Sequence, residues 1–306
     1  MDLYLGQQTP LILDGGLATE LERHGADLKH DLWSARMLIE NPKLIRQAHL
    51  AFLQAGADII ITASYQASLD GFERAGLSRK EAAVAMRRSV ELASQAREAF
   101  CEDAAGEGRL PPLIGASIGP YGACLMDGSE YTGNCNLGSR ALIDFHRPRM
   151  ELLADSAAEF FAIETIPSRH EFEALLTLLE EFPGKYAWFS FSCRDGKHLS
   201  HGETLAECAA LADSHPQVAA VGLNCTDPRF VPELLSSIGS IRTPLLAYPN
   251  SGETWDPVTG NWMGRGAAAL DASAWVAAGA KLVGGCCRVY PEQIAQMRQS
   301  LLGAGT

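Results

Sequence analysis

Eight short apolar runs punctuate the chain, and most are followed by a stretch with the periodicity of an amphipathic helix. The runs are LILDGG (11–16), DIIITASY (58–65), PLIGASIGP (112–120), FFAIETIP (160–167), YAWFSFSC (186–193), VAAVGLNC (218–225), PLLAYPNS (244–251) and KLVGGCC (281–287). A run that is apolar at nearly every position, rather than at every second one, belongs to a strand covered on both faces, the usual condition of a parallel sheet. Parallel neighbours need crossovers. NPKLIRQAHLAFLQAGA (41–57), SRKEAAVAMRRSVELASQAREAF (78–100), SRALIDFHRPRMELLADSAAEF (139–160) and SRHEFEALLTLLEEF (168–182) read as such helices. Ser78, Ser139 and Ser168 suit N-cap positions, and Gly56 and Gly184 lie near helix ends. Eight units in 306 residues predict an α/β fold, a single-domain (β/α)8 TIM-type barrel over residues 1–306, ahead of an open doubly wound sheet.

The balance of charge narrows what such a fold could bind. The chain carries 37 acidic residues against 25 lysines and arginines, a net charge of −12, with no dense basic run, which argues against nucleic acid as a partner. No stretch reaches the roughly 20 apolar residues needed to span a bilayer. The opening MDLYLGQQTPLILDGG has neither the basic start nor the long apolar segment of a secretory signal. The expected setting is the cytoplasm, with no membrane partner. In that reducing compartment the eight cysteines, at 101, 124, 135, 193, 208, 225, 286 and 287, do not read as a disulfide framework. Clustered thiols there point to a metal or to catalysis.

In a barrel, chemistry gathers where the strands end. The longest irregular stretches, 119–138 and 249–266, follow the third and seventh runs and would overhang the C-terminal mouth. The residues ending the runs are Asp14, Ser64, Ser117, Glu164, Asn224, Cys225, Asn250, Cys286 and Cys287. The sixth and eighth strands have the same parity, so Cys225 is expected to face Cys286 and Cys287 across one layer of the barrel. A set of three cysteines is soft and suits Zn2+, and three protein ligands leave a fourth position open, as in catalytic sites. Three thiolates make a metal a poor Lewis acid, yet coordination still deprotonates an incoming thiol outright. An ordinary thiol of pKa about 8.5 is only a few per cent thiolate at neutral pH, so complete ionisation is worth roughly 2 kcal/mol. Two rival readings stay open on these residues: a three-cysteine metal sensor without chemistry, and a thiol-disulfide oxidoreductase using Cys286 and Cys287. Adjacent cysteines, however, close a strained ring.

Other groups carry weaker signals. Cys101, Cys193 and Cys208 read as small buried hydrophobes and Cys124 and Cys135 as incidental loop residues. Asp14 in LILDGG either opens a turn or serves a site. A carboxylate at Glu164, ending an apolar strand with no Lys or Arg near it in sequence, needs a cationic partner that a ligand ammonium would supply. The eight histidines show no HExxH spacing and read as structural or solvated, and no GxSxG, P-loop or GxGxxG follows a strand.

With these motifs assembled, the chain resembles the homocysteine S-methyltransferase family. The match runs through DGGLATEL (14–21), LWSA (32–35), TASYQAS (62–68), SIGPYGACLMDGSEYTG (117–133), HRPR (146–149), ETIP (164–167), GLNC (222–225), YPNSGE (248–253) and GGCCR (284–288). The resemblance implies one zinc per chain on Cys225, Cys286 and Cys287, and homocysteine contacts at Asp14, the Gly15 backbone and Glu164. It is greatest to the short enzymes that use S-methylmethionine or S-adenosylmethionine, so the implied partners are homocysteine and a sulfonium methyl donor. A cationic donor calls for aromatic faces and carboxylates; Trp33, Tyr121, Tyr131 and Glu130 are the candidates. One departure stands out. After GGCCR the family usually places two small hydroxyl residues, and this chain has Val289 and Tyr290, which puts the shape of the donor side in question.

Overall fold

The computed structural model describes residues 2–7, 10–28, 32–103, 106–125, 129–134, 136–256, 261–264, 266 and 270–303. All eight apolar runs form strands: β1 (Leu11–Ile12), β2 (Ile59–Ile61), β3 (Leu113–Ile118), β4 (Phe160–Ile166), β5 (Ala187–Phe191), β6 (Val218–Asn224), β7 (Leu245–Tyr248) and β8 (Ala280–Val283). They pair in parallel in the order β1-β8-β7-β6-β5-β4-β3-β2. The ring closes where β1 meets β2, with a bridge between Leu13 and Ile59, Asp58 N donating to Ile12 O at 2.7 Å and Asp14 N to Ile59 O at 3.0 Å. The fold is a (β/α)8 barrel.

Period-two alternation sorts the strand side chains between two cores. Leu11, Leu13, Leu113, Phe160, Trp188, Leu246 and Leu282 join residues of the other strands in one cluster filling the barrel interior. Ile12, Ile60, Ile114, Phe161, Phe189, Leu223 and Val283 face outward and pack with the helices. Phe172 of the helix Arg169–Leu179 is fully buried there, its ring edge-on to Phe189 and Phe191 at 4.9 and 5.1 Å. Truncating it to alanine would cost about 3–5 kcal/mol. The helix Asp2–Gln7 sets Tyr4 and Leu5 against the interior cluster, and the Tyr4 hydroxyl donates to Pro111 O, just ahead of β3, at 2.8 Å. This places the helix under the N-terminal end of the barrel.

The helices start where short polar side chains satisfy free amides. Ser78 and Glu81 form a capping box at the head of Arg79–Glu102, and Ser168 accepts from Glu171 N. For Ser139–Ala154 the cap is Gly138, one residue earlier than the sequence suggests, and Ser139 is the first helical residue. The stretch 249–266, read as irregular, contains an antiparallel hairpin of Thr254–Asp256 with Asn261–Met263. No helix among the described residues is long and apolar enough to cross a membrane.

Candidate active site

β6 and β8 flank β7, and the turns that leave them carry three cysteines. Cys225 has φ +48, a left-handed conformation that costs a non-glycine residue on the order of 1–3 kcal/mol. Cys286 and Cys287 are held through their backbone: Cys286 N donates to Pro249 O at 2.8 Å, Cys287 N to Asn250 Oδ1 at 3.2 Å, and Ser251 N to Cys287 O at 3.0 Å. A Cβ on Gly16 would lie 2.7 Å from Cys286 O, and one on Gly284 2.5 Å from Leu13 Cβ. The turns after β1 and β8 therefore approach more closely than side chains there would allow.

The sulfurs of Cys225 and Cys287 lie 3.8 Å apart, and all three sulfurs fall within 4.8 Å of one another. Thiolates placed tetrahedrally about one zinc, at bonds of about 2.3 Å, would sit about 3.8 Å apart, so the donor set fits a metal ion. Its ionisation points the same way. Both Cys286 and Cys287 are pushed well above the ordinary thiol range, first by hydrogen bonding with Cys225, with burial adding to it. Two neighbouring thiols so placed do not ionise together without a shared cation.

Beside them lie two buried carboxylates. Asp14, just past β1, accepts the Ile61 amide on Oδ2 at 2.8 Å, while its buried Oδ1 has no partner among the described residues. Burial raises its pKa well above the usual value, with the charges of Glu164 and Cys286 adding to it. Glu164, near the end of β4, is pushed up to about 8 by burial and then by Cys286. It accepts from the Ser117 hydroxyl and, at 3.3 Å, from the Tyr248 hydroxyl. No arginine or lysine among the described residues pairs with either carboxylate. Asp14 and Glu164 are thus two buried carboxyls whose burial disfavours ionisation, and Asp14 keeps an oxygen without a partner among the described residues.

The remaining expectations divide. Asn250 holds the Cys287 amide, and Ser117 serves Glu164, whereas Ser64 bonds downward to Ser117 O at 2.8 Å. Cys193 and Cys208 are buried as expected, and Cys124 donates to Gln66 O at 3.4 Å. Cys101 is exposed, a correction: at the end of Arg79–Glu102 it follows Phe100, which takes the inward position. Cys135 lies outside the described residues. Of Trp33 and Tyr131 only the backbone is described, in 3-10 turns. Tyr121 packs edge-on against Phe145 at 4.9 Å, and Glu130 lies near enough to Tyr65 to raise its pKa, after burial and Cys225.

Val289 turns inward. It is fully buried against Gly285, and its carbonyl takes the Gly16 amide at 2.9 Å. Tyr290 alone reaches the rim, its ring 5.3 Å from the Arg23 guanidinium and 5.6 Å from that of Arg288. It lines a recess of about 320 Å3 with Ser251, Glu253 and Arg288.

Two features escaped the sequence reading. Tyr65 stands one residue beyond Ser64, close enough to Cys225 for that thiol to raise its pKa after burial does. Arg149, 1% exposed, donates to Gly119 O at 3.0 Å and Tyr65 O at 2.8 Å, tying together the loops after β2 and β3. Beside it His146 pairs with Glu171 at 2.8 Å, and Glu171 also takes the Tyr121 amide at 2.6 Å. The signal was HRPR itself, which places His146 and Arg149, three residues apart, on the buried face of its helix.

The family model described as homocysteine S-methyltransferase matches residues 11–301. The chain belongs to the homocysteine S-methyltransferase family. It is 47% identical over 294 residues to a Bacillus subtilis protein named homocysteine S-methyltransferase YbgG, covering 94% of this chain and 93% of that one. It is 45% identical over 306 residues to a selenocysteine Se-methyltransferase of Brassica oleracea, covering 95% and 88%. The crystal structure of the Escherichia coli homocysteine methyltransferase MmuM in its metallated form matches with a TM-score of 0.86 at 43% identity, covering 97% of this chain and 98% of that one. As a member of this family of S-methyltransferases the chain is an enzyme, and its cysteine cluster is suggestive of a metal.

Proposed function

We propose that this enzyme transfers a methyl group from S-methylmethionine, or from S-adenosylmethionine, to the sulfur of L-homocysteine, giving methionine. One zinc ion is held by Cys225, Cys286 and Cys287, and residues 1–306 act as one cytoplasmic homocysteine-binding barrel domain. The observation that carries this reading is the approach of three sulfurs to within 4.8 Å of one another, beside two buried carboxylates that lack a cation. When bound, the zinc would supply the homocysteine sulfur in its thiolate form.

The protein's own residues bind and align. Asp14 and Glu164 take the homocysteine ammonium, and Glu164 gives up its proton as that cation arrives, because the positive charge offsets the burial that held the proton in place. Gly15 presents bare backbone beside Asp14. The methyl passes in line from sulfonium to thiolate and the donor leaves as a neutral thioether, so no side chain need act as a base. Positive and negative charge cancel along that path. Alignment of sulfur, carbon and leaving group is then the main contribution, worth up to about 7–11 kcal/mol in favourable cases.

The test is methionine formation from homocysteine with S-methylmethionine, S-adenosylmethionine and betaine in parallel, before and after chelation, in wild type and Cys286→Ala. Activity with a sulfonium donor that disappears on chelation and in the variant supports the reading. Unchanged turnover in Cys286→Ala overturns it. Zinc binding without turnover would indicate a sensor, and activity lost on alkylation but not on chelation an oxidoreductase.

A further inference from the structure

Asn224 is fully buried at the last position of β6, and the chemistry above gives it no part. Its carboxamide is nevertheless fully engaged. Oδ1 accepts the Thr165 amide at 2.7 Å, and Nδ2 donates to Thr165 Oγ1 at 2.8 Å and to Cys286 Sγ at 3.8 Å. The orientation of the amide is dictated by chemistry: a backbone N–H can only donate, so the oxygen must face Thr165 N and the NH2 group must face the sulfur.

The residue it grips needs holding. Thr165 has φ +60, a region that β-branched side chains avoid, and it directly follows Glu164. The two hydrogen bonds from one carboxamide lock this peptide in place, and with it the direction in which Glu164 leaves β4. Thr165 also hydrogen-bonds Tyr65, whose hydroxyl senses the charge of Cys225. One buried amide thus touches the peptide that sets the carboxylate and the sulfur that would hold the metal.

We propose that Asn224 is a positioning residue joining the two halves of the site. Its clamp on Thr165 fixes Glu164 for the substrate ammonium. Its N–H···S hydrogen bond stabilises the Cys286 thiolate, strengthening the hold of the three sulfurs on the metal and tempering the charge that Cys286 donates to it. This second half rests on the metal reading above.

The experiment measures zinc affinity by competition with a chromophoric chelator, and the sulfur-to-metal charge-transfer band of the Co2+-loaded protein. Wild type is compared with Asn224→Ala, Asn224→Asp and Thr165→Gly. Loss of the outer partner of a metal ligand typically lowers affinity 10- to 100-fold, and that loss is expected for Asn224→Ala, with the band moved to longer wavelength because an unbonded sulfur gives up charge more easily. Asn224→Asp keeps the acceptor for Thr165 N but turns a carboxylate toward the thiolate, so its affinity falls further. Should Asn224→Ala fail to fold, the comparison is made on Asn224→Asp. Thr165→Gly, which retains the N–H···S contact, leaves the band in place and raises KM for homocysteine. A folded Asn224 variant with the affinity and band of wild type overturns the inference. Wild type that binds neither Zn2+ nor Co2+ overturns the metal reading and this inference together.

Discussion

Asp14 Oδ2 takes the backbone amide of Ile61 at 2.8 Å, so the side chain proposed to bind the substrate ammonium also closes the seam between β1 and β2. The two roles separate by substitution. Asp14→Asn keeps an acceptor for Ile61 N and should unfold in urea within about 1 kcal/mol of wild type, while KM for homocysteine rises roughly 10- to 100-fold with the lost charge-assisted bond. Asp14→Ala should show the same loss of binding and a further stability deficit of about 1–3 kcal/mol, because the Ile61 amide is left without its acceptor.

Glu164 sets the pH dependence of the metal-free protein. Unfolded, its carboxyl ionises near 4.5, and folded near 8, raised by burial and then by Cys286. Between those values the folded chain binds more protons, so this group's contribution to stability is full below 4.5 and is lost as pH rises through 8. Glu164→Gln should lack that slope and gain on wild type between pH 5 and pH 8 by an amount on the order of a few kcal/mol. Urea midpoints at the two pH values check it. The same variant should weaken homocysteine binding at every pH.

His49 carries the opposite slope. It is fully buried, both ring nitrogens lack a partner among the described residues, and burial lowers its pKa from 6.5 to about 4. Between those values the unfolded chain binds more protons, so stability is lost as pH falls below 6.5. His49→Leu should flatten the acid limb of the thermal melting profile from pH 7 to pH 4.5. At pH 7 it should be neutral or stabilising, since it removes two unsatisfied polar atoms.

Val289 and Tyr290 should part company despite being neighbours. Val289→Thr buries a hydroxyl against Gly285 and is expected to cost about 1–2 kcal/mol in urea unfolding with KM for the donor unchanged. Tyr290→Thr removes a ring at the rim, costs little stability, and should alter KM for the sulfonium donor more than KM for homocysteine. Initial-rate measurements with each substrate varied separately decide between them.

The barrel was legible because each run such as DIIITASY and FFAIETIP is covered on both faces, and that condition leaves a continuous apolar signature in the sequence. The meeting of Cys225 with Cys286 and Cys287 was legible from strand parity, and Glu164 from the cost of placing a carboxylate at the end of an apolar strand, whereas Asp14 read equally as a turn residue and was singled out by the family resemblance. What stayed hidden depends on contacts made across the chain. The burial of His49 and the grip of Arg149 on two loops follow from helix packing, not from local pattern. The inward turn of Val289 depends on the bare surface of Gly285. Asn224 was visible as a strand end, but its task depends on the left-handed turn at Thr165, 59 residues away, which no local preference announces.

The helix Asp2–Gln7 has a kinetic consequence. With Tyr4 and Leu5 packed against the interior from below, the already filled barrel is sealed further at that end. If homocysteine takes Asp14 and Glu164 as proposed and the donor enters over the same rim, addition is expected to be ordered, homocysteine first, with order set by the shape of the vessel rather than by any one contact.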